Sequence, residues 1–221
     1  HTTRRSLMSR PSPLQNRINP WGEIIADPAR GMFLGNRGTL VDEPFNLATR
    51  RWRLRAWIIC QLHYKDWWRP VMQSGVWTEL FFMDEALALA AGHRPCGLCR
   101  REDYNSFILA WQDGNGWRRR PKAVEVDDVM HRDRTRRDRS KVTYRERIEE
   151  LPSGIMIIEL GTSDRALLLC EDHALPWSFS GYGKPRMRPT GEVEVLTPHS
   201  SVMALRAGFR PQIHPSAGVG T

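Results

Sequence analysis

The sequence predicts an α+β fold, a small hairpin-and-helix module followed by a β-rich segment with one capped helix. Three observations carry this. Over residues 50–62, Trp52, Leu54, Ala56, Ile58, Cys60 and Leu62 alternate with Arg51, Arg53 and Arg55, a period of two that reads as a strand with an apolar and a basic face. Asp84 then precedes an Ala/Leu run through Ala91, closed by Gly92 and blocked by Pro95, the start and stop signals of a short helix. Finally, residues 155–160 and 166–170 are β-rich and flank the turn residues Gly161, Thr162, Ser163 and Asp164, which predicts a hairpin.

The remaining elements follow in order. Residues 1–20 carry Arg4, Arg5, Arg10 and Arg17 with three prolines and read as a mobile basic arm. Gly35, Asn36, Arg37 and Gly38 read as a tight turn. Residues 64–70 read as a turn region with Trp67 and Trp68, and residues 71–80 return as a second short strand or loop. Residues 101–111 continue as a helix with Tyr104, Phe107, Ile108 and Trp111 on one stripe, ended by the glycines at 114 and 116. Residues 117–122 form a basic loop containing Arg118, Arg119 and Arg120. Residues 124–139 read as a helix start with a charged end, and residues 145–150 as helical. Residues 176–189 read as an aromatic and glycine loop, and residues 192–196 as a strand. Thr197 caps a last helix with Pro198 at its first position and Gly208 at its close. The predicted organisation is thus an arm (1–20), the first module with its N-terminal extension (21–122), an α+β segment packed on it (123–208) and an irregular tail (209–221).

Lys and Arg number 33 against 25 Asp and Glu, a net charge of +8, and the sequence pI is near 9.8. The excess is mostly Arg, which forks onto phosphates and points to a polyanionic partner. Nine Trp and seven Phe supply bulky anchors. Arg beside Trp suits phosphate pairing with base stacking, so Arg51, Arg53, Arg55, Arg118, Arg119 and Arg120 are the expected nucleic-acid contacts. No apolar run approaches the roughly 18 residues that span a bilayer. With no apolar signal core at residue 1, the chain reads as cytoplasmic. In that compartment its four cysteines argue for metal or free thiols over disulfides.

Cys96 and Cys99 form a Cys-x2-Cys knuckle, a spacing that lets two thiolates grip one ion. Two sets complete a zinc (Zn2+) site. The first joins Cys60, Cys96 and Cys99 with His93 or His63. The second joins Cys96 and Cys99 with Cys170 and His173 and is the better pattern by local spacing alone. A four-ligand site of this kind is structural.

The run Ala90-Ala91-Gly92-His93-Arg94-Pro95-Cys96-Gly97-Leu98-Cys99 resembles the metal-binding module of the Ada family of DNA alkylation-repair proteins. That family shows the same run with Phe where His93 stands, following a short helix, with further cysteine ligands upstream on a strand pair. The resemblance covers residues 57–103 and implies a zinc module that works on DNA. Cys60 stands where an upstream ligand is expected, so the resemblance implies the first ligand set, with His93 favoured over His63. The family's upstream pair is Cys-x3-Cys, and one of those cysteines accepts methyl groups from DNA phosphotriesters. Here only Cys60 is present, and a histidine ligand would lower thiolate nucleophilicity, so the resemblance implies the scaffold and its DNA partner more than methyl transfer.

Asp127, Asp128 and His131, with Asp133, form the one nuclease-like cluster. On a helix Asp127 and His131 share a face, where a carboxylate and a histidine can hold Mg2+ or Mn2+ or serve as base and acid. His214, Glu23 and Asp27 are weaker candidates. The expected function is a zinc-containing DNA-binding protein of processing or repair. The alternatives are a divalent-metal nuclease using Asp127 and His131, and a zinc-stabilised protein-interaction domain.

Overall fold

The computed structural model describes residues 10–68, 70–162 and 164–218. Residues 1–9 of the expected arm, with Arg4 and Arg5, and residues 219–221 of the tail lie outside the described residues. The N-terminal half contains the strands β1 (Gln15–Ile18), β2 (Ile24–Ala26), β3 (Phe33–Asn36), β4 (Val41–Glu43), β5 (Asn46–Leu47), β6 (Ile58–Gln61) and β7 (Leu80–Phe82). Helix α1 (Glu85–Ala90), strand β8 (Arg94–Pro95) and helices α2 (Arg101–Gly114) and α3 (Ala123–Arg134) follow. The C-terminal half contains β9 (Tyr144–Arg147), β10 (Met156–Glu159), β11 (Ala166–Cys170), β12 (His173–Ser178), β13 (Gly181–Tyr182), β14 (Arg186–Met187), β15 (Glu192–Val195) and α4 (His199–Arg206).

The mixed α+β class is as expected. One sheet runs β2-β1-β7-β3-β6-β8, the other β13-β12-β11-β10-β15-β9 with β14 on β12, and β4 pairs with β5 alone. Helix α1 touches β7 of the first sheet and β10 of the second, and α2 packs on α4. A continuous apolar core therefore takes residues from both sheets and all four helices. Every residue of α1 is buried. Six residues cannot sustain an isolated helix, so this one exists because its surroundings hold it.

Asp84 is the cap of α1, as the sequence predicts, accepting from Leu87 N at 2.8 Å. Its other oxygen accepts from Tyr182 Oη at 2.7 Å and His214 N at 3.0 Å. Glu85 pairs with Arg100 at 2.8 Å, both side chains 1% exposed. It also accepts from Gln212 N at 2.9 Å. Thus the expected irregular tail is tied down: Phe209 packs edge-on against Phe107, and residues 212 and 214 dock on the start of α1. Gly92 closes α1 at φ +89, and a Cβ there would stand 2.5 Å from Arg134, so no other residue fits the turn.

Several elements depart from expectation. The strand over residues 50–62 is real only from Ile58. Arg53 N and Leu54 N bond to Arg37 O, and Arg55 O accepts from Arg134, so this backbone is spent outside a ladder. Its faces are also exchanged. Trp57 and Ile59 are buried while Leu54 is half exposed; the Arg37 and Arg134 guanidiniums lie on the Trp57 ring, 3.9 and 4.0 Å from its centre. Gly35 lies in β3, so the expected tight turn over residues 35–38 is a strand end followed by a bend. Part of the arm, Gln15–Ile18, is a strand. Of the helix expected over residues 145–150, residues 148–150 form a 3-10 turn, while residues 144–147 are strand β9, paired with β15; edge pairing overrides local helix propensity there. Residues 176–189 contribute to β12, β13 and β14. Pro198, not Thr197, is the residue before α4, because Thr197 Oγ1 accepts from Met156 N at 3.0 Å.

Glu85→Ala takes from the Arg100 guanidinium its buried carboxylate and leaves the partly exposed Asp103 as its remaining acidic partner. The expected loss is about 3 kcal/mol, read by urea denaturation, against less than about 1 kcal/mol for Arg50→Ala, whose pair with Asp42 is exposed. Equal losses for the two variants would contradict the ion pair's structural role.

Candidate metal centre

The parallel pairing of β6 with β8 builds the site. Ile58 stands beside Arg94 and Ile59 beside Pro95, and Cys96 N donates to Ile59 O at 2.9 Å. Cys96 therefore emerges next to Cys60. The knuckle turn then returns Cys99 to the same place, and Leu98 N donates to Cys96 Sγ at 3.4 Å. The sulfurs of Cys60, Cys96 and Cys99 lie within 4.8 Å of one another. These three cysteines can hold a metal ion.

Three thiols this close compete for protons. Hydrogen bonds from the Cys60 and Cys99 thiols hold the Cys96 sulfur well below its ordinary pKa. The Cys60 pKa is driven far up, first by its hydrogen bonds to Cys96 and Cys99 and then by burial. A soft cation held by Cys60, Cys96 and Cys99 would take the place of those shared protons.

The preferred ligand set is thus assembled in its three cysteines but not in its histidine. His93 is fully buried, and its Nε2 accepts from Arg37 Nε at 3.1 Å. Its ring packs 4.6 Å from Phe82 and 5.1 Å from Trp57. Burial, then Arg37 and Arg134, hold it well below its usual pKa, so it is a neutral acceptor in the core. His93 is corrected from metal ligand to core residue, since Gly92 turns it inward before β8 begins. The rival set is not assembled. Cys170 pairs with His173 across the β11–β12 hairpin in the other sheet, and burial pushes its thiol up to about 11. His63 lines the same cleft as the trio.

That cleft, about 880 Å³, lies over the open face of the first sheet. Register explains its floor: Leu34 pairs with both Cys60 and Phe81, and Asn36 pairs with Ile58. All of these line the cleft, as does Glu79, two residues before Phe81. The loop after β6 adds Tyr64, Trp67 and Trp68. Trp67 is 68% exposed and Trp68 84%. Sequence reading found the aromatics but not the floor, because Leu34 and Asn36 lie in a stretch that reads as a turn.

The nuclease-like cluster comes apart. Asp127 grips Arg94 with both oxygens at 2.7 Å, on the buried face of α3. Asp128 pairs with Arg55 at 2.7 Å. His131 Nδ1 sits 3.2 Å from Arg134 Nη2, and its pKa is lowered by burial and then by Arg134. Asp133 accepts from Ser200 N. Asp127 is spent on neutralising a buried guanidinium, so it is not free to pair with His131 around Mg2+ or Mn2+, while Asp128 stays partly exposed beside Arg55.

The basic residues are exposed but partly engaged. Arg51 donates to Ala48 O at 2.6 Å, Arg119 pairs with Glu125, and Arg120 donates to Asn105 at 2.6 Å. Arg53 and Arg118 are exposed. Arg55 and Arg119 reach Asp128 and Glu125, which are one turn apart on α3, so the two basic stretches converge on one helix.

No family model matches this chain, and no curated protein or solved structure matches it either.

Purified protein is expected to carry zinc that Cys60→Ser, Cys96→Ser or Cys99→Ser strips and Cys170→Ser retains, read by elemental analysis. Retention in Cys60→Ser with loss in Cys170→Ser would reverse the ligand assignment. Because the ion displaces protons from the trio, affinity should fall by more than about tenfold between about pH 8 and about pH 6, read by chelator competition.

Proposed function

We propose that the protein is a zinc-containing nucleic-acid-binding protein of DNA processing or repair, acting where bases are unpaired. The observation that carries this reading is the setting of the thiolate trio. It opens into a cleft walled by Tyr64, Trp67 and Trp68, two of them strongly exposed indoles, on a chain of net charge +8. Exposed indoles accept bases by stacking without regard to sequence, and a duplex does not offer them. Phosphates are met by the exposed arginines at 51, 53, 55, 118, 119 and 120. Zinc fastens β6 to the knuckle and so fixes the cleft. The Ada-like run supports the same reading of a zinc scaffold beside DNA. Hydrolysis of the strand is not part of it, since Asp127 is committed to Arg94. The same indoles also suit a protein partner, which the binding test separates.

The test is anisotropy of labelled single- and double-stranded oligonucleotides across a salt series. Single strands should bind more tightly, and affinity should fall linearly in log–log form as salt rises. Trp67→Ala and Trp68→Ala should each cost about 1–3 kcal/mol. Affinity absent at moderate salt, or indifferent to salt, would remove nucleic acid as the partner.

A further inference from the structure

We infer that the metal keeps a fourth coordination position open to the cleft, and that a planar aromatic nitrogen heterocycle, the class that includes the nucleobases, fills it through a ring nitrogen. This rests on the reading that the cysteine trio holds zinc. Three observations support it. The group that comes together is three sulfurs within 4.8 Å; His93, three residues before Cys96, is turned into the core on Arg37, and His63, three residues after Cys60, lines the cleft but is not part of the group. Sites with three protein ligands are those in which zinc meets an exogenous group. Second, three thiolates leave a Zn2+ centre with a net charge of about −1, and such a centre takes a neutral donor more readily than another anion. An imine-type ring nitrogen is such a donor.

Third, the cleft has the shape and chemistry of a flat aromatic ligand. Leu34, Ile58 and Phe81 form its apolar floor, and Trp67 and Trp68 its aromatic rim. Cys60 sits in the row of Leu34 and Phe81, while Asn36 sits in the row of Ile58, two residues along each strand. Asn36 is thus the diagonal neighbour of Cys60 across the β3–β6 pair, about 7–8 Å away, on the order of the length of a fused-ring heterocycle. Its Oδ1 accepts from Gly38 N at 3.2 Å, so Nδ2 is the atom with which it would meet the far edge of a ring. A volume of about 880 Å³ falls in the ordinary range for small-ligand sites.

The test uses the full chain loaded with Co2+, whose visible bands report coordination. Thiolate-to-cobalt charge transfer is expected, lost in Cys60→Ser; its absence in the parent protein would overturn both this inference and the zinc reading. With that band present, benzimidazole should shift the d–d bands saturably, adenosine should do the same, and indole, which lacks the imine nitrogen, should leave them unmoved. Trp67→Ala and Trp68→Ala should weaken the benzimidazole response by about tenfold or more. The inference falls if benzimidazole leaves the bands unchanged, if indole shifts them equally, or if the tryptophan variants respond like the parent. It also falls if His63→Ala alone changes the bands without added ligand, since His63 then closes the site.

Discussion

Two buried carboxylates at the start of one short helix hold this protein together. Asp84 and Glu85 open a helix of six residues that has no exposed face. Each is anchored on more than its own turn. Asp84 binds Leu87 N, Tyr182 and His214 N, which joins the second sheet and the C-terminal segment to the helix. Glu85 binds Arg100 and Gln212 N, which joins the residue after the knuckle to that same segment. Burial raises the pKa of both carboxyls, and their hydrogen bonds and the Arg100 charge work against that cost. A buried charge whose partners are complete is tolerated; one left with a missing partner is costly. The site inherits this rigidity. Helix α1 ends at Gly92, and within four residues the chain has crossed to β8 and presented Cys96.

A second anchor acts on the other side of the knuckle. Arg94, two residues before Cys96, is gripped by Asp127 of α3 and lies 5.4 Å from the centre of the Tyr104 ring. The knuckle is thus held by ion pairs on both flanks, Arg94 before it and Arg100 after it. Positioning a metal site by ligands whose neighbours are themselves fixed is what makes its geometry reproducible. The same feature changes the meaning of the composition. Arg37 and Arg134 lie 3.9 and 4.0 Å from the centre of the Trp57 ring, and Lys141 donates to Ala90 O at the end of α1. These cations serve the interior. Buried carboxylates at residues 79, 84, 85 and 127 offset most of these interior cations, and among the outer arginines Arg55, Arg119 and Arg120 are moderated by local partners.

The class of fold, the capped helix, its glycine stop, the hairpin over residues 156–170 and the assembly of Cys60 with Cys96 and Cys99 were legible in the sequence. Each depends on local signals or on a likeness carried by contiguous residues. What was not legible depends on distant partners. The alternation over residues 50–62 predicts Leu54 inside and Trp57 outside, yet Trp57 is buried between guanidiniums from residues 37 and 134. His93 beside the knuckle looks like a ligand until Arg37, from another strand, claims its nitrogen. Asp127 looks like half of a catalytic pair until Arg94 claims its oxygens. In each case a buried arginine, invisible as such in the sequence, decides the role of the group beside it.

Three sulfurs rather than four would set the chemistry of Cys60. A closed tetrathiolate crowds a doubly negative zinc centre, which favours attack by sulfur on an alkyl group. A zinc ion held by Cys60, Cys96 and Cys99, the three cysteines that come together, would leave a centre with one net negative charge. Each sulfur would then be the poorer nucleophile and the ion the better Lewis acid. On the proposed reading Cys60 would serve as a ligand, and the chemistry of the cleft over β3 and β6 would lie with the ion.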